Sequence, residues 1–398
     1  MQRKLLTLRN NEERRLRAGH LWVFSNEVDT KKTPLTAFAP GEEALVTASR
    51  GRPLGVATVN PGSLICARII DRDPETALDA DFFRARLREA LALRQRLYPT
   101  PHYRLLFSEG DHLPGLVLDR FGDVVVGQCN TAGMDARKAL ILEALLAELS
   151  PRAVIWRNDS ASRDLEGLPR TVEVAYGDAP DHLDVEEDGA RFAVPALGGQ
   201  KTGWFYDMRE NRSKLCRLVA GRTVLDLFAY AGAFGVRAAL AGAAKVVCLD
   251  SSEAACAMAA ENAARNGVAD RVTVVRADAA DYLEAAAAAE GRTFDVVSLD
   301  PPALVKRKKD LEAGLKAYER FNRLAMDVVA DGGLLMTCSC SQHVDAYELR
   351  RAALRAAAGR NLRAQILDQG RQGPDHPGHP AMAETEYLKS FMLRLVRP

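Results

Sequence analysis

The chain has 398 residues, 47% hydrophobic and 27% charged, with a formal net charge of +1; this length exceeds one ordinary compact core and predicts two or three domains, and the balanced charge excludes a uniformly basic or acidic coat, so any surface for a polyanion must be local. No apolar run approaches the ~18 residues of a membrane span, and the charged N-terminus MQRKLLTLRNNEERRLRAG lacks a signal-peptide core. Seven cysteines without paired spacing argue against a disulfide framework and for a reducing compartment, which predicts a cytoplasmic protein without a membrane partner.

Residues 1–72 read as short strands separated by turns. KLLTL, HLWVFSNEV, EALVTAS, PLGVATV and LICARII are β-like, with Gly-Arg-Pro and Asn-Pro-Gly between some of them, which predicts a small β-barrel. Trp22 and Phe24 in this segment read as barrel core, with stacking on RNA bases as the alternative. An Asp/Pro cluster then precedes DFFRARLREALALRQRLY (81–98), apolar at helical spacing with arginines expected on a solvated face. A hairpin through Phe121-Gly122-Asp123, a helix near 134–149, the strand AVIWRND and a hairpin turning at Asp188-Gly189 complete a second, α+β module over 73–190.

From 191 to 398 strands and helices alternate. TVLDLFA, KVVCLD, VTVVRAD, FDVVSLD and GGLLMTCS are each followed by a helical segment, those after the last two starting near 310 and 343. Strands apolar on both faces joined through helices predict a Rossmann-like α/β domain, a mostly parallel doubly wound sheet covered by helices. The alanine tract 285–289 fits one such helix, alanine being the strongest helix former.

In such sheets ligands bind outside the carboxyl ends of the strands, near the topological switch point. The first strand ends in Asp226 and runs through small residues to Gly232, where a ligand can approach the backbone closely. The next ends in Asp250, eighteen residues beyond Gly232, near the spacing of a ribose-binding acid. The third ends in Asp278, suited to an adenine amino group. Capping of the following helices is the alternative role for all three acids. DLFAYAGAFG lacks the G-x-G-x-x-G spacing of a dinucleotide site, leaving a ribose-and-adenine ligand such as S-adenosylmethionine.

The fourth strand ends in Asp300-Pro301-Pro302, a rigid acid-bearing turn suited to hydrogen bonding a flat heterocycle beside a methyl donor. Lys306, Arg307, Lys308 and Lys309 follow, a solvated loop or a set of phosphate contacts. The fifth strand ends in TCSCS. Carbon-5 of a cytosine is too weak a nucleophile to take a methyl group directly, whereas a thiolate adding to carbon-6 makes it an enamine. Strand alternation alone does not choose between Cys338 and Cys340, which share a face; Cys340 lies nearer the carboxyl end and Cys338 reads as core. Zinc on Cys338, Cys340 and His343 lacks a second ligand pair, and His376 and His379 in DHPGHP read as metal ligands or as part of a structural turn.

GQKTGWFYDMRENR, LDLFAYAGAFG, LDPPALV and TCSCS, in this order, resemble the large-subunit rRNA cytosine-C5 methyltransferases, class I S-adenosylmethionine-dependent enzymes with an N-terminal PUA domain; GHLWVFSNEV and SEGDHLPGLVLDRFGD extend the resemblance over nearly the whole chain. It implies that Cys340 is the nucleophile and that Asp300 orients and protonates the base. It also implies that Asp226, Phe228, Gly232, Asp250 and Asp278 line the cofactor pocket with their neighbours Tyr230, Phe234, Ser251, Ala279, Asp300 and Pro301. Phe205 and Arg212 would join them from a lid and first helix over Gln200–Arg212. The implied partner is large-subunit rRNA, with a homodimer left open. Ala303-Leu304 departs from the Lys-Phe pair common in the family, and Cys338 is an extra thiol. Methylation of an exocyclic amine such as guanine N2, which needs no cysteine, is the alternative reaction; a non-catalytic PUA-bearing assembly factor is the alternative class.

Overall fold

The computed structural model describes residues 3–289 and 293–398. The chain divides into two compact units, one formed by residues up to Leu183 with Pro195–Tyr206 and Pro374–Thr385, the other by Asp184–Val194, Asp207–Gly373 and Glu386–Pro398.

The first unit begins with β1 (Lys4–Thr7), the short helix α1 (Arg14–Arg17), β2 (Trp22–Phe24), β3 (Glu42–Thr47), β4 (Pro53–Val59) and β5 (Ile65–Asp71), in the sheet order β1-β3-β4-β5-β2. The two edge strands meet through the Leu8–Val28 bridge and the bond from Asp29 N to Thr7 O (2.9 Å), which closes the predicted barrel and leaves less edge exposed. Leu6, Val23, Val46, Val59 and Ile69 fill it. Trp22 and Phe24 lie at its margin rather than in its core: both are half-buried, with Trp22 Nε1 donating to Glu109 (2.8 Å) and the Arg15 guanidinium over the Phe24 ring.

The same unit continues with α2 (Ala80–Leu97), β6 (His102–Phe107), β7 (Leu116–Phe121), β8 (Val124–Cys129), α3 (Ala132–Asp135), α4 (Lys138–Leu149), β9 (Ala153–Asn158) and β10 (Thr171–Gly177), sheet order β10-β9-β8-β7-β6. The helix expected near 134–149 breaks at Ala136-Arg137, where Arg137 turns inward to donate to Gly41 O and Gly133 O, each at 2.9 Å. The arginines of α2 are not simply a solvated face. Arg94 is fully buried, forked onto Asp111 at 2.6 and 2.7 Å and donating to Arg104 O and Asp375 O, because its position on the helix faces the β6 turn.

The hairpin of β11 (His182–Glu187) and β12 (Ala190–Pro195) corrects the expected boundary at 190, which would cut it at its turn. From Asp184 to Val194 it belongs to the second unit, held by Ala193 N donating to Asn262 Oδ1 (2.8 Å) and Arg191 N to Asn266 Oδ1 (2.9 Å). Its end residue Glu187, wholly buried, accepts from Arg212 at 2.7 and 2.6 Å and from Arg237 at 2.6 Å.

After α5 (Arg209–Cys216) come β13 (Thr223–Leu227), α6 (Ala233–Leu240), β14 (Lys245–Asp250), α7 (Glu253–Arg265), β15 (Val272–Arg276), α8 (Ala279–Ala288), β16 (Phe294–Leu299), α9 (Leu311–Val328), β17 (Val329–Ser339), α10 (Ala346–Ala358), β18 (Arg363–Arg371) and β19 (Lys389–Val396). They form the predicted doubly wound sheet, β15-β14-β13-β16-β17-β19-β18, parallel from β15 to β17. Strands β18 and β19, absent from the sequence reading, add an antiparallel edge. The order reverses between β13 and β16, so the ligand crevice belongs at their carboxyl ends.

Burial alone would push the Glu187 carboxyl up, but the Arg212, Arg237 and Arg209 guanidiniums hold it at about 2, against an ordinary 4.5. Its stabilising contribution, ~3 kcal/mol, is therefore complete above pH 4.5 and lost as pH falls through about 2. Glu187→Gln should cost about 3–5 kcal/mol at pH 7 by leaving buried guanidiniums unpaired, and should flatten the acid limb of a urea-denaturation series from pH 7 to pH 3. An unchanged acid limb would show that another group carries it.

Candidate active site

Strand β13 is buried on both faces, and its one acid, Asp226, is 1% exposed. Asp226 Oδ2 accepts from Gly235 N (3.0 Å) at the start of α6, where the helix favours negative charge. Burial, with the nearby Asp300 and Asp250 carboxylates, nevertheless raises its pKa from 3.8 to about 7 against the opposing Gly235 bond and Arg212 charge. Asp226, at the end of β13, therefore senses the carboxylates at the ends of β14 and β16.

The chain leaves β13 through three left-handed residues, Phe228 (φ 61°), Tyr230 (φ 49°) and Gly232 (φ 77°). The two aromatic ones cost of order 1–3 kcal/mol each. Bonds to the neighbouring strand hold them: Ala229 N to Leu249 O (3.0 Å) and Tyr230 N to Asp250 Oδ2 (2.9 Å). Asp250 Oδ1 accepts from Ser252 N (2.9 Å), so this carboxylate shapes both loops while keeping further lone pairs for hydroxyl donors. The glycine at 232 is required by the backbone in its own right. Its φ is positive, and a Cβ there would sit 3.1 Å from Ala259 of α7.

The other predicted residues are distributed unevenly. Asp278 is exposed and caps α8, its Oδ1 accepting from Ala280 N (2.8 Å) and Asp281 N (3.2 Å); Ala279 beneath it is buried and Ser251 is exposed. Phe228 stacks edge-on against Phe321, and Phe234 is buried within α6. Arg212 is buried with its fork engaged by Glu187, so its place is in an internal ion network as well as near Phe234, whose ring lies 5.8 Å away. Phe205 belongs to the first unit, under the Lys201 ammonium.

At the ends of β16 and β17 the structure joins the two motifs. Pro301 is buried after the half-buried Asp300. Beyond it, Val305 N donates to Ser341 Oγ (3.1 Å), and the Tyr318 hydroxyl of α9 bonds both Ser341 Oγ and Ser339 Oγ at 2.9 Å. Cys338 lies inside β17 opposite Ser390, fully buried, and burial, then Asp300 and Cys340, pushes its thiol well above the ordinary value. Cys340 sits one residue past the strand and is half-buried. Lys306, Arg307, Lys308 and Lys309 are exposed, with Arg307 turned onto Asp310 (2.9 Å).

Two residues escaped the sequence reading. Tyr318 gives no local sign of its role, whereas Lys389, a lysine opening the apolar run SFMLRLV, breaks a buried strand pattern and could have been noticed. His376 is buried against Asp375 (2.8 Å) in the first unit. Among the described residues no group of three or more His, Cys, Asp or Glu side chains could hold a metal ion, and no helix is long and apolar enough to cross a membrane. A cavity of about 360 Å³ in the first unit, rimmed by Leu64 and Leu165, is lined by Phe24 but by none of the residues expected at the cofactor, the thiol or the Lys306–Lys309 loop.

The pattern of the S-adenosylmethionine-dependent methyltransferases matches residues 158–382, and that of the PUA-like domain matches residues 6–72. The chain is 36% identical over 397 residues to the ribosomal RNA large subunit methyltransferase I of Shewanella denitrificans, covering 98% of this chain and 99% of that protein. It is 37% identical over 396 residues to its namesake in Shewanella amazonensis, with the same coverage. The chain belongs to this methyltransferase family. It is thus an S-adenosylmethionine-dependent rRNA methyltransferase, as the strand-end acids and the resemblance led us to expect. A methyltransferase structure complexed with SAH shares the fold, with a TM-score of 0.83 at 20% identity, covering 98% of this chain and 100% of that one.

Because the raised Asp226 pKa exceeds its unfolded value, the buried charge weakens the fold as pH rises from about 4 through 7. Asp226→Asn, which keeps an acceptor for Gly235 N, should stabilise the protein by roughly 1–4 kcal/mol at pH 8 and by little at pH 4. Urea midpoints at the two pH values check this; equal shifts at both would remove the charge explanation.

Proposed function

We propose that this rRNA methyltransferase forms 5-methylcytosine in large-subunit rRNA, with Cys340 as nucleophile and Asp300 as the group that orients and protonates the base. The observation carrying this reading is the pairing of the two strand ends: a half-buried thiol just past β17, laced through Ser341 and Tyr318 to the loop that follows Asp300. Cys338 is closed off in the sheet, so of the two sulfurs only Cys340 has the exposure a nucleophile requires.

The Cys340 thiolate adds to carbon-6 of the cytosine, forming an S–C6 bond and moving the ring's π electrons toward carbon-5, while Asp300 donates to the ring nitrogen. S-adenosylmethionine would supply an electrophilic methyl group to carbon-5, its sulfonium S–CH3 bond breaking to leave S-adenosylhomocysteine. The carbon-5 proton then leaves to solvent, the C5–C6 double bond re-forms with expulsion of the Cys340 thiolate, and the ring nitrogen returns its proton to Asp300. Asp226, Asp250 and Asp278, with the Phe228–Gly232 turn, hold the cofactor in this reading: Asp250 can accept from ribose hydroxyls and Asp278 from the adenine amino group. Phe234, Ser251, Ala279 and Pro301 flank them. A base paired in an rRNA helix must be flipped out to reach the thiol.

Cys340→Ala should abolish methylation while sparing cofactor affinity, and Cys338→Ala should retain most activity. RNA carrying 5-fluorocytosine at the target should trap wild-type protein covalently, because fluorine cannot leave as a proton does. Trapping that survives Cys340→Ala would assign the wrong sulfur; methylation that survives both substitutions would replace this mechanism with methylation of an exocyclic amine.

The Lys306–Lys309 loop provides phosphate contacts in the same reading. Lys308→Glu with Lys309→Glu should weaken rRNA binding and reduce its salt slope by roughly 1–2, with calorimetric cofactor binding unchanged. An unaltered salt slope would leave these cations as a solvated loop.

A further inference from the structure

Lys389 is 8% exposed, an unusual position for a lysine without a carboxylate partner. Among the described residues no acid lies within ion-pair distance of it. Its Nζ donates instead to Ser341 O (2.7 Å) and Tyr387 O (2.8 Å). The register explains where it points. Lys389 pairs with Ser339, the last residue of β17, so its four-carbon stem runs beside the strand end and places the ammonium under the carbonyl that follows Cys340. An ammonium has three donors, and two of them serve these carbonyls.

We propose that Lys389 is a positioning residue for the methyl transfer, its buried ammonium stabilising the Cys340 thiolate. This rests on the reading of Cys340 as nucleophile. The lysine touches neither cofactor nor base; it acts through the sulfur. Before attack the thiol proton goes to solvent, and the resulting anion is held by a cation already present, so no proton passes between the two residues.

The electrostatic surroundings support the pairing. Burial lowers the Lys389 pKa from 10.5 to about 8, and Cys340 heads the groups that pull it back up, ahead of Asp345 and Glu348 at the start of α10. The ammonium is thus mostly charged near neutral pH. Arg371, opposite Lys389 on β18, is exposed, and Tyr318 reaches the same loop only through the serine hydroxyls. Burial, then the Asp300 carboxylate, with Asp226 and Asp207 beyond it, disfavours a thiolate at the neighbouring Cys338. A thiolate near carboxylates is favoured by a compensating cation, and the Lys389 ammonium, buried and bonded to Ser341 O, supplies one at this strand end. A mere brace for the loop would need two donors but no charge, which gives the test its contrast.

The experiment compares wild-type protein with Lys389→Gln, which keeps amide donors without the charge, and Lys389→Arg, which keeps the charge. Alkylation of the Cys340 peptide by iodoacetamide is followed by mass spectrometry from pH 6 to pH 10, without RNA. Lys389→Gln should move the alkylation midpoint up by about one pH unit, a roughly tenfold loss of thiolate at pH 7, with Lys389→Arg close to wild type. With RNA, kcat should fall while KM and cofactor affinity hold, and high pH should restore part of the rate. If Lys389→Gln does not fold, reciprocity supplies a second route: Cys340→Ser should lower the Lys389 pKa seen in the ¹³Cε shift of labelled lysine. Superimposable alkylation profiles, or a Lys389 titration indifferent to Cys340→Ser, would overturn the proposal. Neither measurement needs turnover. A shifted midpoint in a protein whose Cys340→Ala variant still methylates would therefore sink the nucleophile assignment and leave the ion pair standing.

Discussion

The parallel pairing of β13 with β14 on one side and with β16 on the other is the constraint on which the rest of the catalytic unit depends. Parallel strands bring all their carboxyl ends to one edge of the sheet, and the reversal of strand order between β13 and β16 opens a crevice there. Asp226, Asp250 and Asp300 come from different strands, yet the register brings the second and third within electrostatic reach of Asp226. The same register extends to β17, which puts the thiol segment next to the Asp-Pro-Pro turn.

Placing carboxylates together in a buried crevice opposes folding, and the unit offsets this in separate ways. The charge of Asp226 is disfavoured by burial and softened by the Gly235 N–H. Glu187 meets the opposite environment, several guanidiniums, and stays ionised while tying the β11–β12 hairpin to α5 and α6. At the other end the neutral hydroxyls of Tyr318, Ser339 and Ser341 join the two loops, with the Lys389 ammonium on Ser341 O as the charged contact beside them. Rigid support of this kind suits a site whose reacting groups must hold their geometry.

In the first unit the barrel and the α+β module are tied by bonds of comparable depth. Arg68 pairs with the buried Glu166 at 2.8 Å, Asn60 donates to the same carboxylate, and Arg137 reaches Glu43 at 2.9 Å. Severing the barrel at residue 72 would leave several of these groups buried without partners, so point substitutions are the better probes of RNA docking. The sequence spacing that suggested two separate modules reflects a change of local pattern, from turn-punctuated strands to a long helix, and says nothing about what later packs across it.

The sequence by itself determined the alternation of apolar strands and helices, hence the doubly wound sheet, and it marked the acids and thiols at strand ends because polar residues after an apolar run are conspicuous. It also carried the family resemblance. Its errors came from contacts distant along the chain. The hairpin around Asp188-Gly189 was legible, but its allegiance rests on arginines 25 and 50 residues away. Arg94 looked like one more solvated arginine until Asp111 and Asp375 closed around it. The antiparallel edge of β18 and β19 was unseen, and with it Lys389, whose place beside Cys340 depends on pairing across some fifty residues. Cys338 and Cys340 were equivalent by periodicity; the tertiary structure separated them by ending β17 between them, because strand pairing with β19 buries the first and releases the second.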